Sequence, residues 1–141
     1  MSQENVEIVR RVFESFNRRD WDSTADLFDP NVEQHGTVGG IEEGHVARGF
    51  RQVRQIWEKE DDEIWDEHRL EPQEFIDAGD QVVVFQREYQ RGKSSGVELV
   101  VDTASVLDLR GGRIVRTQGY MDRAAALRAA GLPEQEAHAD S

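Results

Sequence analysis

The chain has 141 residues, a length that fits one domain, with 29 acidic against 17 basic residues and a formal net charge of −12. That balance excludes a phosphate-binding basic surface and disfavours contact with anionic membranes, so neither nucleic acid nor membrane is expected as a partner. Cysteine is absent, which removes disulfides, thiolate nucleophiles and zinc–thiolate or iron–sulfur sites. No apolar run approaches the ~20 residues of a membrane span, and a charged-then-apolar leader pattern is lacking. A cytoplasmic location is the expectation.

Ser2 is placed to cap a helix over 3–18, whose apolar stripe is Val6, Val9, Val12, Phe13 and Phe16. Asp20 starts a second, short helix carrying Trp21, Ala25, Leu27 and Phe28, and Asp29-Pro30 ends it. Residues 31–36 read as a short strand and 37–44 as a glycine-containing loop. A third helix is predicted over 45–58, with Phe50, Val53 and Trp57 on one stripe. The run 58–67 is seven-tenths acidic. It lacks the alternating oxygen ligands and central glycine of a calcium loop, and reads as a solvated helix end.

Beyond Ile64 the period shortens to two. Four strands are predicted over 65–77, 81–91, 96–109 and 113–121, separated by Ala78-Gly79-Asp80, Arg91–Gly96 and Arg110-Gly111-Gly112. Such short connections imply an antiparallel meander. Asp122 caps a last helix to Ala130, Gly131 stops it, and 133–141 reads as a flexible tail to a single domain over 1–132. The strand over 96–109 is apolar on both faces. With three helices to cover one of them, the other is expected to meet a second copy of the chain through Val100, Ala104, Val106, Gln118 and Tyr120.

Four motifs in this order carry a family likeness: Phe28-Asp29-Pro30-Asn31-Val32-Glu33-Gln34-His35, Gly44-His45-Val46-Ala47-Arg48-Gly49-Phe50, Glu74 through Val84, and Leu109-Arg110-Gly111-Gly112-Arg113-Ile114-Val115. On these, residues 3–132 resemble the nuclear transport factor 2-like superfamily, in particular its SnoaL-like branch. The resemblance implies an α+β, cone-shaped fold, also described as a cystatin-like roll: a strongly curved antiparallel sheet wrapped around three N-terminal helices, with a pocket at the open end. The family includes ketosteroid isomerase, polyketide cyclases and limonene epoxide hydrolase, so the fold leaves the function open.

Carried over residue by residue, the isomerase base falls on Gln34, and its oxyanion stabilisers fall near Val12 and Ser105. An amide accepts no proton near neutral pH, and a valine stabilises no oxyanion, so the intact isomerase set is not expected. The epoxide hydrolase arrangement would draw on Arg87 and Asp102, for which alternation favours a cross-strand ion pair. The acid–base candidates that remain are His68 and His35, with Tyr89 beside the substrate. His35 also reads as a hydrogen-bonding rim residue, while His45 and His138 read as exposed. The four histidines have no His-x-x-x-His spacing, and neither metal nor other cofactor is expected.

Period-two counting turns Gln34, Thr103, Ser105, Val115, Thr117, Gly119 and Met121 inward, with Val83, Phe85, Arg87 and Tyr89 from the strand over 81–91 and Phe16, Phe50, Val53 and Trp57 from the helices. Gln34, Trp57, Phe85, Arg87, Thr103, Ser105, Thr117 and Met121 are the ligand-contact candidates. This lining suits a small, largely apolar or mildly anionic molecule, the acidic residues being assigned to the outer surface. Two readings stay open: a homodimeric small-molecule binding domain, and a cofactor-independent isomerase, cyclase or hydrolase using His68 or His35.

Overall fold

In a computed structural model that describes residues 2–134, the apolar stripe of the first segment forms helix α1 (Ser2–Asn17), with Val9, Val12, Phe13 and Phe16 buried. Of the proposed tail, 135–141 lie outside the described residues. The exit from α1 turns at Arg19, which adopts φ +58°, a left-handed conformation that costs a side-chain-bearing residue about 1 kcal/mol. The closing bonds are Arg19 N–H to the Phe16 carbonyl (2.9 Å) and Asp20 N–H to the Ser15 carbonyl (3.0 Å). Asp20 then caps α2 (Trp21–Leu27) by accepting from the Ser23 N–H.

Strand β1 (Phe28–Val38) is longer than its predicted core because it runs through Pro30. The proline is tolerated there because pairing with β2 starts only at Glu33. The predicted third helix is shorter at its start and longer at its end. Val46–Arg48 form a short strand, β2, paired antiparallel with β1 (Gln34 opposite Ala47), and α3 runs from Phe50 to Glu63. Gly49, at φ +84°, makes the turn between them and donates its N–H to the Val32 carbonyl at 2.7 Å. Rich in helix formers, the acidic run continues α3 instead of ending it.

The meander is β3 (Trp65–Ala78), β4 (Gln81–Gly92), β5 (Glu98–Arg110) and β6 (Arg113–Tyr120), close to the predicted spans. Strand order across the sheet is β2-β1-β6-β5-β4-β3. The expectation of an antiparallel sheet is corrected at one place: β6 lies parallel to β1, with Gln34 beside Thr117. Register breaks at Pro72/Glu74 and Asp108/Leu109 bend the sheet around the helices. The main core joins α1, α3 and the sheet's concave face through Val9, Phe13, Val53, Val82, Val84, Leu107 and Ile114.

The final helix, α4 (Arg123–Ala129), is capped by Asp122 and closed at Gly131 (φ +72°), with Leu132 N–H to the Leu127 carbonyl at 2.8 Å. It lies on the convex face. Ala126 and Leu127 cover Val83, Phe85, Ala104 and Val106 in a second core. Ala104 and Val106 are therefore buried within the chain, which corrects the expectation that helices cover only one face. Because Leu127 is fully buried in this small core, Leu127→Ala is expected to lower stability by about 3 kcal/mol, read from urea unfolding. A loss below about 1 kcal/mol would mean that α4 does not seal the sheet.

Candidate functional site

Between α1, α3, the 39–45 loop and the concave sheet lies an open cavity of about 500 Å³. Its apolar walls come from Val12, Phe13, Phe16, Phe28, Trp57, Leu70 and Leu107; Gln34, Gln86, Ser105 and Thr117 supply polar groups. Trp57 is held edge-on by Phe16 (centroids 5.1 Å) and lies against Trp21 (5.3 Å).

Of the residues singled out in the sequence, Gln34, His35, Trp57, His68, Ser105 and Thr117 line this cavity, as do Phe16 and Gly119. Phe85, Arg87 and Tyr89 do not, and their predicted facing is corrected. In the β4/β5 register Ser105 stands opposite Val84 and Thr103 opposite Gln86, so the even-numbered residues of β4 face inward. Phe85 is buried under α4 with the Arg123 guanidinium over its ring. Tyr89 sits under Arg69, 4.2 Å from ring centroid to guanidinium. Arg87 makes the cross-strand pair with Asp102, at 2.8 and 3.3 Å. Met121 is 43% exposed and Val115 is turned outward by the bulge beside Leu109; neither lines the cavity, and nor do Phe50 and Val53.

His68 and Tyr89 are neighbours across β3 and β4 but point to opposite faces of the sheet. The His68 Nε2 lies 3.0 Å from Oε1 of Glu88, a residue absent from the sequence candidates. The second oxygen of Glu88 accepts from the Thr103 hydroxyl at 2.6 Å, Thr103 accepts from Gln86 Nε2 at 3.2 Å, and the Gln86 carbonyl oxygen accepts from Ser105 at 3.1 Å. Every donor in this ladder points toward Glu88, so the bonds reinforce one another and end on the carboxylate. Burial pushes the Glu88 carboxyl up, but the hydrogen bonds from His68 and Thr103 and the field of His68 outweigh it and hold the group below the usual range. Thr103 thus acts behind the wall, as a support for Glu88.

His68 is fixed from behind as well. Its ring packs edge-on against Phe16 and lies along Trp65. Arg19 donates to the His68 carbonyl (2.8 Å) while paired with Asp61, and Asn17 makes two bonds to the Leu70 backbone. Nδ1 of His68 has no partner among the described residues. His35, at the rim, shares Glu33 with Arg48: the imidazole lies 3.1 Å from one carboxylate oxygen and the guanidinium is bonded to the other.

Glu42, Glu60 and Glu63 also border the cavity, together with Lys59. This corrects the assignment of the acidic run to the outer surface alone. Burial, joined by the charges of Glu42, Asp61 and Glu88, outweighs the opposing charge of His68 and pushes the Glu60 carboxyl up. Among the described residues no group of three or more potential ligands is placed to hold a metal, and no helix is long and apolar enough to cross a membrane.

A family model described as a SnoaL-like domain matches residues 9–117, and the chain belongs to that family. Among solved structures it is similar to a nuclear transport factor 2-like protein of unknown function from Burkholderia pseudomallei, at 25% identity and a TM-score of 0.74 over 89% of this chain and 95% of that one. A Catenulispora acidiphila protein with a ketosteroid isomerase-like fold, solved with trimethylamine, shares 22% identity and a TM-score of 0.71, covering 92% and 95%. A protein of Jannaschia sp. CCS1, whose proposed role is that of a SnoaL-like polyketide cyclase, shares 19% identity and a TM-score of 0.74, covering 93% and 94%. No match is found among curated proteins.

The two shifted carboxyls give opposite pH dependences. Glu88 is depressed when folded, so its contribution is present above the ordinary value of 4.5 and is lost as pH falls through the folded value. Glu60 is raised, so its ionisation costs stability as pH climbs from 4.5 through the folded value. In urea unfolding between roughly pH 3 and 7, Glu60→Gln is expected to gain on wild type as pH rises. The deficit of Glu88→Gln should shrink toward the acid end.

Proposed function

We propose that the chain binds a small organic molecule in this cavity and moves a proton on it without a cofactor, His68 acting as general base and acid. The observation that carries the reading is the donor ladder Ser105–Gln86–Thr103–Glu88 meeting His68 at the cavity wall. A carboxylate bonded to Nε2 keeps the proton there and leaves Nδ1 as the basic site, the role of an orienting acid beside a catalytic imidazole. His68 would take a proton from carbon next to a carbonyl, the C–H pair forming the C=C bond of an enolate as the carbonyl π pair moves onto oxygen, and would return the proton to carbon to close the cycle. Gln34 and Thr117 are adjacent across β1 and β6, line the cavity, and have no side-chain bond among the described residues. They are the donors available to that oxygen.

A panel of small cyclic ketones and β-diketones in D₂O, followed by proton NMR, tests the reading. Faster α-proton exchange with wild type than with buffer is expected, falling about 100-fold in His68→Ala and by a smaller factor in Glu88→Gln. Exchange that is unchanged in His68→Ala would assign the chemistry elsewhere. If wild type and buffer are equal across the panel while the same ketones bind, the binding-domain reading replaces the catalytic one.

We also propose that the chain pairs with a second copy. The support is narrower than the whole convex face: Val100, more than half exposed and opposite Tyr89 near the start of β5, stands on that face outside the core that α4 covers. Sedimentation equilibrium at micromolar concentration is expected to give twice the chain mass, and Val100→Glu to shift it toward the single-chain value. A monomeric wild type would end the proposal.

A further inference from the structure

Resting on the same cavity, we propose that its ligand is an organic cation: an apolar, preferably ring-bearing body carrying a protonated or quaternary amine. The cavity is the site, and its charged groups decide the sign of what enters. Glu42, Glu60 and Glu63 stand along it with Glu88 in its wall, against Lys59 and the imidazoles of His35, His45 and His68. Glu88 is already met by His68 and Thr103. Glu42, Glu60 and Glu63 have no ion pair among the described residues, although arginine is plentiful. Arginines of the neighbouring segments are engaged elsewhere: Arg19 with Asp61, Arg54 with Asp22 and Glu58, and Arg48 with Glu33.

Helix α3 adds to the same field. Its last turns carry Glu60 and Glu63 with no basic residue in the final turn, the reverse of what the partial negative charge of a helix C-terminus favours. Uncompensated acids at that end disfavour the empty helix, and a cation at the mouth relieves them. Burial chiefly pushes Glu60 up, with the charges of Glu42, Asp61 and Glu88 adding to it and His68 opposing. Beneath this rim the walls are Phe13, Phe16, Phe28 and Trp57. Aromatic faces attract an alkylated ammonium and its apolar body, whereas a hydrated metal ion gains little from them.

Three probes of matched size separate the possibilities: 2-phenylethylammonium, 2-phenylethanol and 3-phenylpropionate, titrated at low salt by isothermal calorimetry or ligand-observed NMR. The amine is expected to bind about tenfold more tightly than the alcohol, with the carboxylate weakest. In Glu60→Gln/Glu63→Gln the amine and the alcohol should come within about twofold, with alcohol binding unchanged. An alcohol or carboxylate that binds wild type as tightly as the amine overturns the cation assignment and leaves the cavity reading standing. So does a preference for the amine that survives in the double variant. If none of the three binds, the cavity reading falls together with it.

Discussion

A carboxylate placed in the wall of an apolar cavity must be fully hydrogen-bonded or neutralised, and Glu88 sets that requirement for the whole inner face. Meeting it fixes which residues stand where. Thr103 has to sit across from Gln86, which fixes the β4/β5 register. His68 has to reach over from β3, which requires that strand to be held at a set height against α1. Asn17 and Arg19 do this by bonding the backbones of Leu70 and His68. The left-handed conformation at Arg19 follows from the same need, because the tight exit from α1 aims its guanidinium at Asp61 and the β3 backbone. A locally unfavourable residue is retained through the contacts that its geometry permits.

The helices, the four meander strands, both aspartate caps and the stop at Gly131 were legible in the sequence because periodicity and turn chemistry are local properties. The face of β4 was not. Val82, Val83, Val84 and Phe85 are all apolar because the strand is covered on both sides, so alternation vanishes where it is needed. Register supplies the missing parity, and register depends on a partner strand. Strand β2 escaped notice for a related reason, since three residues hold too little pattern and form a strand only because β1 offers an open edge. On β6, Ile114 rather than Val115 enters the core because a bulge shifts the count by one.

The cavity lining was legible in outline and misread in charge. His68, Gln34, Ser105, Thr117 and Trp57 were found by position. Glu88 and Gln86 were hidden by the parity error, and Tyr89 was drawn in by it. Glu60 and Glu63 belong to a run that, read alone, is a soluble helix end. What makes part of it cavity wall is that α3 continues past Lys59 to Glu63, over the open end of the cone. Adjacent residues of one helix thus meet different surroundings, with one side of the turn in water and the other at the cavity mouth.

The parallel pairing of β1 with β6 sets an order on how the chain can be completed. Gln34 acquires its neighbour Thr117 only after more than half of the sequence has followed it. During synthesis β1 and β2 therefore wait as a two-stranded piece that is marginal by itself. The convex face likewise stays bare until α4, the last described helix, has emerged. Contacts of such long separation fold slowly and leave apolar strands open meanwhile. The high acidity of the chain has a use in that interval, since mutual repulsion keeps incomplete copies apart until the sheet closes.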